Sequence, residues 1–113
     1  MSLSAYELLQ HIKDESVYLI EHSKGISFDD FLNDPTLIRA YSRSLEIIGE
    51  ATKKIPSDFR NRYPDIEWRG MAGLRDKLIH DYFGIDYDLV WDVIQNKIPK
   101  LKLQLDVLFE DFK

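Results

Sequence analysis

The sequence predicts an all-α fold: an antiparallel four- to five-helix bundle with short extra helices. Apolar residues recur at three- and four-residue spacing in four stretches, and each stretch begins or ends at residues that cap helices. No stretch alternates apolar and polar residues between turn dipeptides as a strand would, and there is no internal repeat or low-complexity segment.

The first helix opens on Ser4-Ala5-Tyr6-Glu7, a capping box in which the serine hydroxyl and the glutamate each satisfy one orphan amide. Ala5, Leu8, Leu9, Ile12, Ser16, Leu19 and Ile20 follow at helical spacing, and the helix is expected to run to about His22, before Lys24-Gly25. Ser27 stands three residues before Asp30, so Ser27 to Leu32 is an extra turn. Asn33-Asp34-Pro35 then supplies a cap and a proline at the first helical position. The second long helix carries the stripe Leu37, Ile38, Tyr41, Leu45, Ile48 and Thr52. Lys53-Lys54 suits its dipole and Pro56 stops it.

Ser57 to Tyr63 reads as another short helix before Pro64. A third long helix is expected over Trp68 to Tyr82, ending at a left-handed cap on Gly84. Asp86 caps the fourth, whose stripe is Val90, Ile94, Ile98, Leu101, Leu105, Leu108 and Phe112. That phase survives Pro99, which predicts a kinked helix or two helices sharing one face. Gly49, Gly70 and Gly73 each cost about 1 kcal/mol relative to alanine inside a helix. Close helix contact is the expected reason for them, with a break as the alternative at Gly70. Trp68, Trp91 and Phe109 are assigned to core or interface.

With 113 residues, 44% of them hydrophobic and 31% charged, the chain is read as one folded domain over 1–113. No apolar run approaches the roughly 20 residues that span a bilayer, and the start lacks a basic and apolar leader, so a cytoplasmic protein without a membrane segment is expected. The absence of cysteine excludes disulfides, thiol catalysis and cysteine-ligated zinc. A net charge of −5 argues against a polyanion partner, but the charge is unevenly spread. Residues 39–77 hold nine bases and six acids, whereas the flanking segments are acidic. That middle third is compatible with a local phosphate-binding surface, for which Arg43, Arg69 and Lys77 are the candidate RNA contacts, although helix faces also segregate charge for solubility alone.

Most catalytic signatures are missing. There is no glycine-rich phosphate loop, no GxSxG elbow and no HExxH, and neither a metal site nor a cofactor is expected. His11 and His22 lie beside Glu7, Glu15 and Glu21, where exposed salt bridges are expected rather than metal binding. The chemistry is concentrated in Arg75-Asp76-Lys77-Leu78-Ile79-His80-Asp81-Tyr82. Arg75 offers a planar fork of donors for a phosphate, and His80 can pass protons near neutral pH. Asp76 stands one helical turn before His80 and can orient it. Tyr82 lies about 20° from alignment with Arg75, but His80 lies about 140° away on an ideal helix. A loosened helix, a wrapped arginine or a second molecule would each reconcile that angle. A two-fold dimer has the further merit of supplying two histidines, an acid and a base for RNA transesterification. The same residues also suit a plain surface pair at a helix end, and Tyr82 a core-edge aromatic.

The segment RDKLIHDYFGID resembles the signature of the HepT-like branch of the HEPN superfamily: arginine, four residues, histidine, one residue, tyrosine. The stretches FDDFLNDPTLIRAYSRSLEIIGEATKKI, RNRYPDIEWRGMAGLRD and VWDVIQNKIPKLKLQL resemble the same family, so the likeness covers nearly the whole chain. Asp76 departs from the asparagine often found after the arginine. The resemblance implies a HEPN helical bundle acting as a ribonuclease toxin of a type VII-like toxin–antitoxin pair, as a homodimer with arginine and histidine near the interface. Carried over, Arg75 would stabilise the phosphorane and His80 would be acid or base. Tyr82 would receive AMP from an antitoxin similar to the minimal nucleotidyltransferase MntA. Two other classes stand beside it: a non-catalytic substrate- or nucleotide-binding partner of a nucleotidyltransferase, and a purely structural bundle with Arg75 and His80 exposed and far apart.

Overall fold

The computed structural model describes residues 4–78 and 84–112. Helix α1 (Ala5–Ser23) starts as expected: the Glu7 amide donates to Ser4 Oγ at 3.1 Å and the Ser4 amide donates to Glu7 Oε1 at 3.2 Å. Its stripe Leu8, Leu9, Ile12, Ser16 and Leu19 is buried, with the Ser16 hydroxyl donating to the Ile12 carbonyl at 2.7 Å. The helix ends before Gly25, whose φ of 74° is the left-handed turn that only glycine adopts without strain.

Helix α2 (Phe28–Leu32) is the expected extra turn, and Ser27 and Asp30 form a capping box at its start. It exists to deliver one side chain, the fully buried Phe31, which stacks on Tyr41 at 5.7 Å and Trp91 at 5.4 Å. Helix α3 (Pro35–Lys53) is capped by Asp34, which accepts from the amides of Thr36 and Leu37. Tyr41, Leu45, Ile48 and Thr52 line its buried side, and the Tyr41 hydroxyl donates to the His22 carbonyl at 2.7 Å. Arg60 of α4 (Ser57–Asn61) reaches back over the end of α3, donating to the carbonyl of Thr52 at 2.6 Å, which also accepts from the Ile55 amide at 3.1 Å, and to the carbonyl of Ile55 at 3.1 Å.

The expected third long helix is instead two short ones, α5 (Trp68–Ala72) and α6 (Leu74–Leu78), parted at Gly73 with φ −89° and ψ 5°. The cause lies on α3. A Cβ on Gly49 would stand 3.3 Å from the Met71 carbonyl oxygen and 3.7 Å from that of Ala72. The C-terminal carbonyls of α5 therefore rest on the bare backbone of α3, as close helix contact at Gly49 predicts. The break falls at Gly73, not at Gly70, which lies inside α5 where a Cβ would make only ordinary contact with the Glu67 side chain at 3.8 Å. The expected end of this helix at Tyr82 lies outside the described residues.

Helix α7 (Tyr87–Asp92), capped by Asp86, leads through a π-helical turn at Val93–Lys97 into α8 (Ile98–Glu110). Pro99 has no N–H to give and its ring crowds the carbonyl four residues back. Widening the preceding turn accommodates both, and the apolar phase is kept: Val90, Ile94, Ile98, Leu101, Leu105 and Leu108 are all buried. Phe112 departs from the stripe. It is 45% exposed and joins an aromatic seam with Tyr6, Phe59 and Phe109.

Contacts set the directions. Tyr6 near the start of α1 meets Phe109 of α8, and Lys13 in its middle pairs with Asp106. The end of α1 accepts from Tyr41, in the first half of α3. Both α3 and α8 thus run antiparallel to α1, while α5 and α6 pack on α3. The described residues are helical with no strand, as predicted. None of their helices is long and apolar enough to cross a membrane.

Candidate active site

Arg75 is presented from the middle of α6 with its side chain 53% exposed. Leu74 and Leu78 on either side of it are buried and hold the helix down. Its Nε lies 3.9 Å from Oε2 of Glu46 on α3, and the same oxygen lies 3.7 Å from Nη1 of Arg43. One carboxylate, 27% exposed, thus faces two guanidiniums. Neither distance is a close hydrogen bond, and exposed pairs of this kind contribute about 0–1 kcal/mol. The pairing aims Arg75 without using up its fork of donors, and the trio keeps one net positive charge open to an anion.

Of the expected RNA contacts, Arg43 is brought to Arg75 by this shared carboxylate. Lys77 instead lines a groove of about 120 Å³ on the α7 side, with Leu74, Leu89, Asp92 and Lys97. Arg69 is exposed on α5 and is in no ion pair among the described residues. Asp76 is exposed. His80, Tyr82 and the angle between Arg75 and His80 fall outside the described residues. The two flanks of that segment are tied together, since the Asp86 amide donates to the Leu78 carbonyl at 2.9 Å.

Reading the sequence alone missed Glu46. Its signal was present in SRSLEIIGE, a carboxylate three residues after Arg43 and three before Gly49, but only the packing of α6 on α3 shows that it serves Arg75. Ser42, one turn before Glu46, is buried with its hydroxyl unpartnered, a condition that costs about 1–3 kcal/mol. The expected salt bridges of His11 and His22 do not form. Glu7 is held by Ser4 and Glu21 by Lys24, while the His22 ring lies against Tyr18 at 4.4 Å. No group of three or more metal-ligating side chains occurs among the described residues.

The model of one protein family, Ribonuclease HepT-like, matches residues 8–108. The chain belongs to this HepT-like family. Three relatives match along nearly the whole chain. It is 50% identical over 105 residues to "Putative RNase TTE0752" of Caldanaerobacter subterraneus subsp. tengcongensis, covering 93% of this chain and 94% of that one. It is 44% identical over 108 residues to "Probable ribonuclease HepT" of Thermococcus cleftensis, covering 96% and 98%. "Putative RNase MJ0127" of Methanocaldococcus jannaschii is also 44% identical over 108 residues, covering 96% and 86%. No solved structure matches the chain significantly. A HepT-like bundle is what the all-α reading and the RDKLIHDY segment together pointed to, and family and fold now agree.

Proposed function

We propose that the chain is a metal-independent endoribonuclease toxin of the cytoplasm, acting as a homodimer. The observation that carries this reading is the intact Arg75, His80 and Tyr82 spacing inside a family match that spans residues 8–108. In the reaction the RNA 2′-oxygen bonds to phosphorus as its proton leaves to one imidazole. The bond to the 5′-oxygen breaks as that oxygen takes a proton from another. Arg75 offsets the charge of the phosphorane, Asp76 supports His80, and a 2′,3′-cyclic phosphate and a 5′-hydroxyl are released. One chain has a single motif histidine, so the two-fold dimer supplies the pair.

The test is cleavage of labelled RNA in EDTA by the parent and by His80→Ala. The parent should cut and leave a cyclic phosphate, and the variant should be inactive with an unchanged melting temperature. Inhibition by chelator that magnesium restores would sink the metal-free mechanism. An isolated chain that binds but never cuts RNA would instead favour a partner subunit of a nucleotidyltransferase.

The partner in this reading is an MntA-like nucleotidyltransferase. The Tyr82 oxygen attacks the α-phosphorus of ATP, pyrophosphate leaves, and the phenolic proton is lost. The AMP then places a phosphodiester anion and a purine beside Arg75, blocking RNA by charge and by bulk. Tyr82→Phe should stay active and escape silencing, read as intact mass after incubation with that enzyme and ATP, followed by RNA cleavage. A phenylalanine variant modified and silenced like the parent would place the switch elsewhere.

A further inference from the structure

The exposed side of α3 carries one charged stripe. Arg39, Arg43, Glu46, Glu50, Lys53 and Lys54 follow at spacings of four, three, four, three and one, so they share one face of a helix about 22 Å long. Both carboxylates are engaged, Glu46 by Arg43 and Arg75, and Glu50 by Lys53 at 3.5 Å. Lys54 makes no ion pair among the described residues. Counting Arg75, five cations face two carboxylates, and this on a chain whose net charge is −5.

Beside the stripe, α1 and α3 enclose a groove of about 230 Å³. Its floor is apolar: Leu8 and Ala51 are buried and Ile47 half-buried. Its rim is polar, with Arg43, Lys54, His11 and the Lys53-paired carboxylate of Glu50 all exposed. A free inorganic anion needs no apolar floor, and an apolar peptide needs no pair of cations. A single-stranded nucleic acid uses both, placing phosphates on the cations and the flat face of an unstacked base or ribose on the floor. Arg43 belongs to this rim and also shares the Glu46 carboxylate with Arg75, so one end of the groove adjoins the Arg75 site.

We infer that the α1–α3 groove is the substrate track, holding single-stranded RNA beside the bond cut at Arg75, with Arg43 and Lys54 on its phosphates. The inference rests on the ribonuclease reading of the Arg75 site and goes beyond it by assigning where the rest of the strand lies.

The experiment measures anisotropy of a labelled single-stranded oligoribonucleotide across a salt series. It uses the full chain carrying His80→Ala so that no cleavage intervenes. Adding Arg43→Ala and Lys54→Ala together should weaken binding about 10-fold near 0.1 M salt and lower the slope of log affinity against log salt by about 1.4, roughly 0.7 for each lost contact. The control pair Lys24→Ala and Lys100→Ala, on other surfaces, should change neither. In the cleaving protein the groove pair should raise KM. If the parent binds RNA and the groove pair binds it as well, or if the control pair loses as much, the track lies elsewhere. A fully paired duplex bound as tightly as the single strand would overturn the choice of ligand. A change of mass by light scattering in the groove pair would mark the face as a protein contact and overturn the inference. A parent that binds no RNA at any salt would defeat the ribonuclease reading itself, a result the variants cannot imitate.

Discussion

The frame of α1, α3 and α8 and the segment that carries Arg75 are both helical, yet they are held in place by different means. In the frame, helices of 19, 19 and 13 residues bury continuous apolar stripes against one another. The segment consists of two five-residue helices, each too short to persist alone. It docks through Trp68, Met71, Leu74 and Leu78, whose spacings of three, three and four keep one apolar side through the break at Gly73. Polar and backbone contacts finish the docking: the Trp68 indole donates to the Tyr63 carbonyl at 2.9 Å, and the ends of α5 rest on Gly49. The position of Arg75 is thus set by the fit of a short segment onto α3, and its stability is borrowed from the frame.

Paired substitutions in the two regions should separate activity from stability. Arg75→Ala removes an exposed guanidinium that shares its carboxylate with Arg43, so RNA cleavage should fall about 100- to 1,000-fold with the melting temperature almost unmoved. Ile48→Ala empties a fully buried site on α3 and should cost about 3 kcal/mol in chemical denaturation, with activity lost only as far as the chain unfolds. Activity assays beside denaturation curves read both. An Arg75→Ala chain that melts like Ile48→Ala would erase the distinction drawn between the regions.

Gly49→Ala tests the seam between them. Alanine gains about 1 kcal/mol of helix propensity, but its Cβ would press on the Met71 carbonyl at 3.3 Å, and overpacking costs about 1–3 kcal/mol. The net should be about 1 kcal/mol of destabilisation. Since the atom that must give way is backbone of α5, Arg75 should shift with it, and kcat should fall several-fold more than the unfolded fraction explains. A variant at least as stable as the parent and fully active would show that α5 does not need the close approach.

The same contrast explains what could be read in advance. Long stripes such as Val90 to Leu108 repeat one rule many times, so their burial was legible through Pro99, and the capping boxes at Ser4 and Ser27 marked their helices to the residue. The break at Gly73 was not legible, because periodicity continues across it and its cause is a glycine 24 positions earlier on another helix. Arg75 stood out by residue type in an apolar context. Glu46 did not, being one of several carboxylates on an exposed helix face until α6 is laid against it. Phe112 fitted the phase of α8, but the stripe outruns the frame there and the ring turns to the aromatic seam at the start of α1.

The smallest effect lies wholly within the frame, where Lys13 of α1 reaches Asp106 of α8. Asp106 accepts from Lys102 at 2.6 Å and from Lys13 of α1 at 3.2 Å. The Lys102 hydrogen bond, and after it that of Lys13, holds its carboxyl below the usual carboxylate value. A depressed pKa in the folded chain means that the unfolded chain binds the proton more readily. The stabilisation is therefore complete above the unfolded value of about 3.9 and fades as pH falls through the lower folded one. With the Asp106 side chain 33% exposed, solvent screens the pair, and the contribution should be about 0.5 kcal/mol. Asp106→Asn should lower the melting temperature by a degree or two near neutrality and make it fall less steeply below about pH 4, with RNA cleavage untouched because the contact lies on the α1–α8 seam. Melting curves from about pH 7 to 2.5, with an activity assay at neutral pH, would check both parts. If the variant melted like the parent at neutral pH and with the same acid slope, Asp106 would be a solvated surface charge, and the antiparallel seam of α1 and α8 would rest on its apolar and aromatic contacts alone.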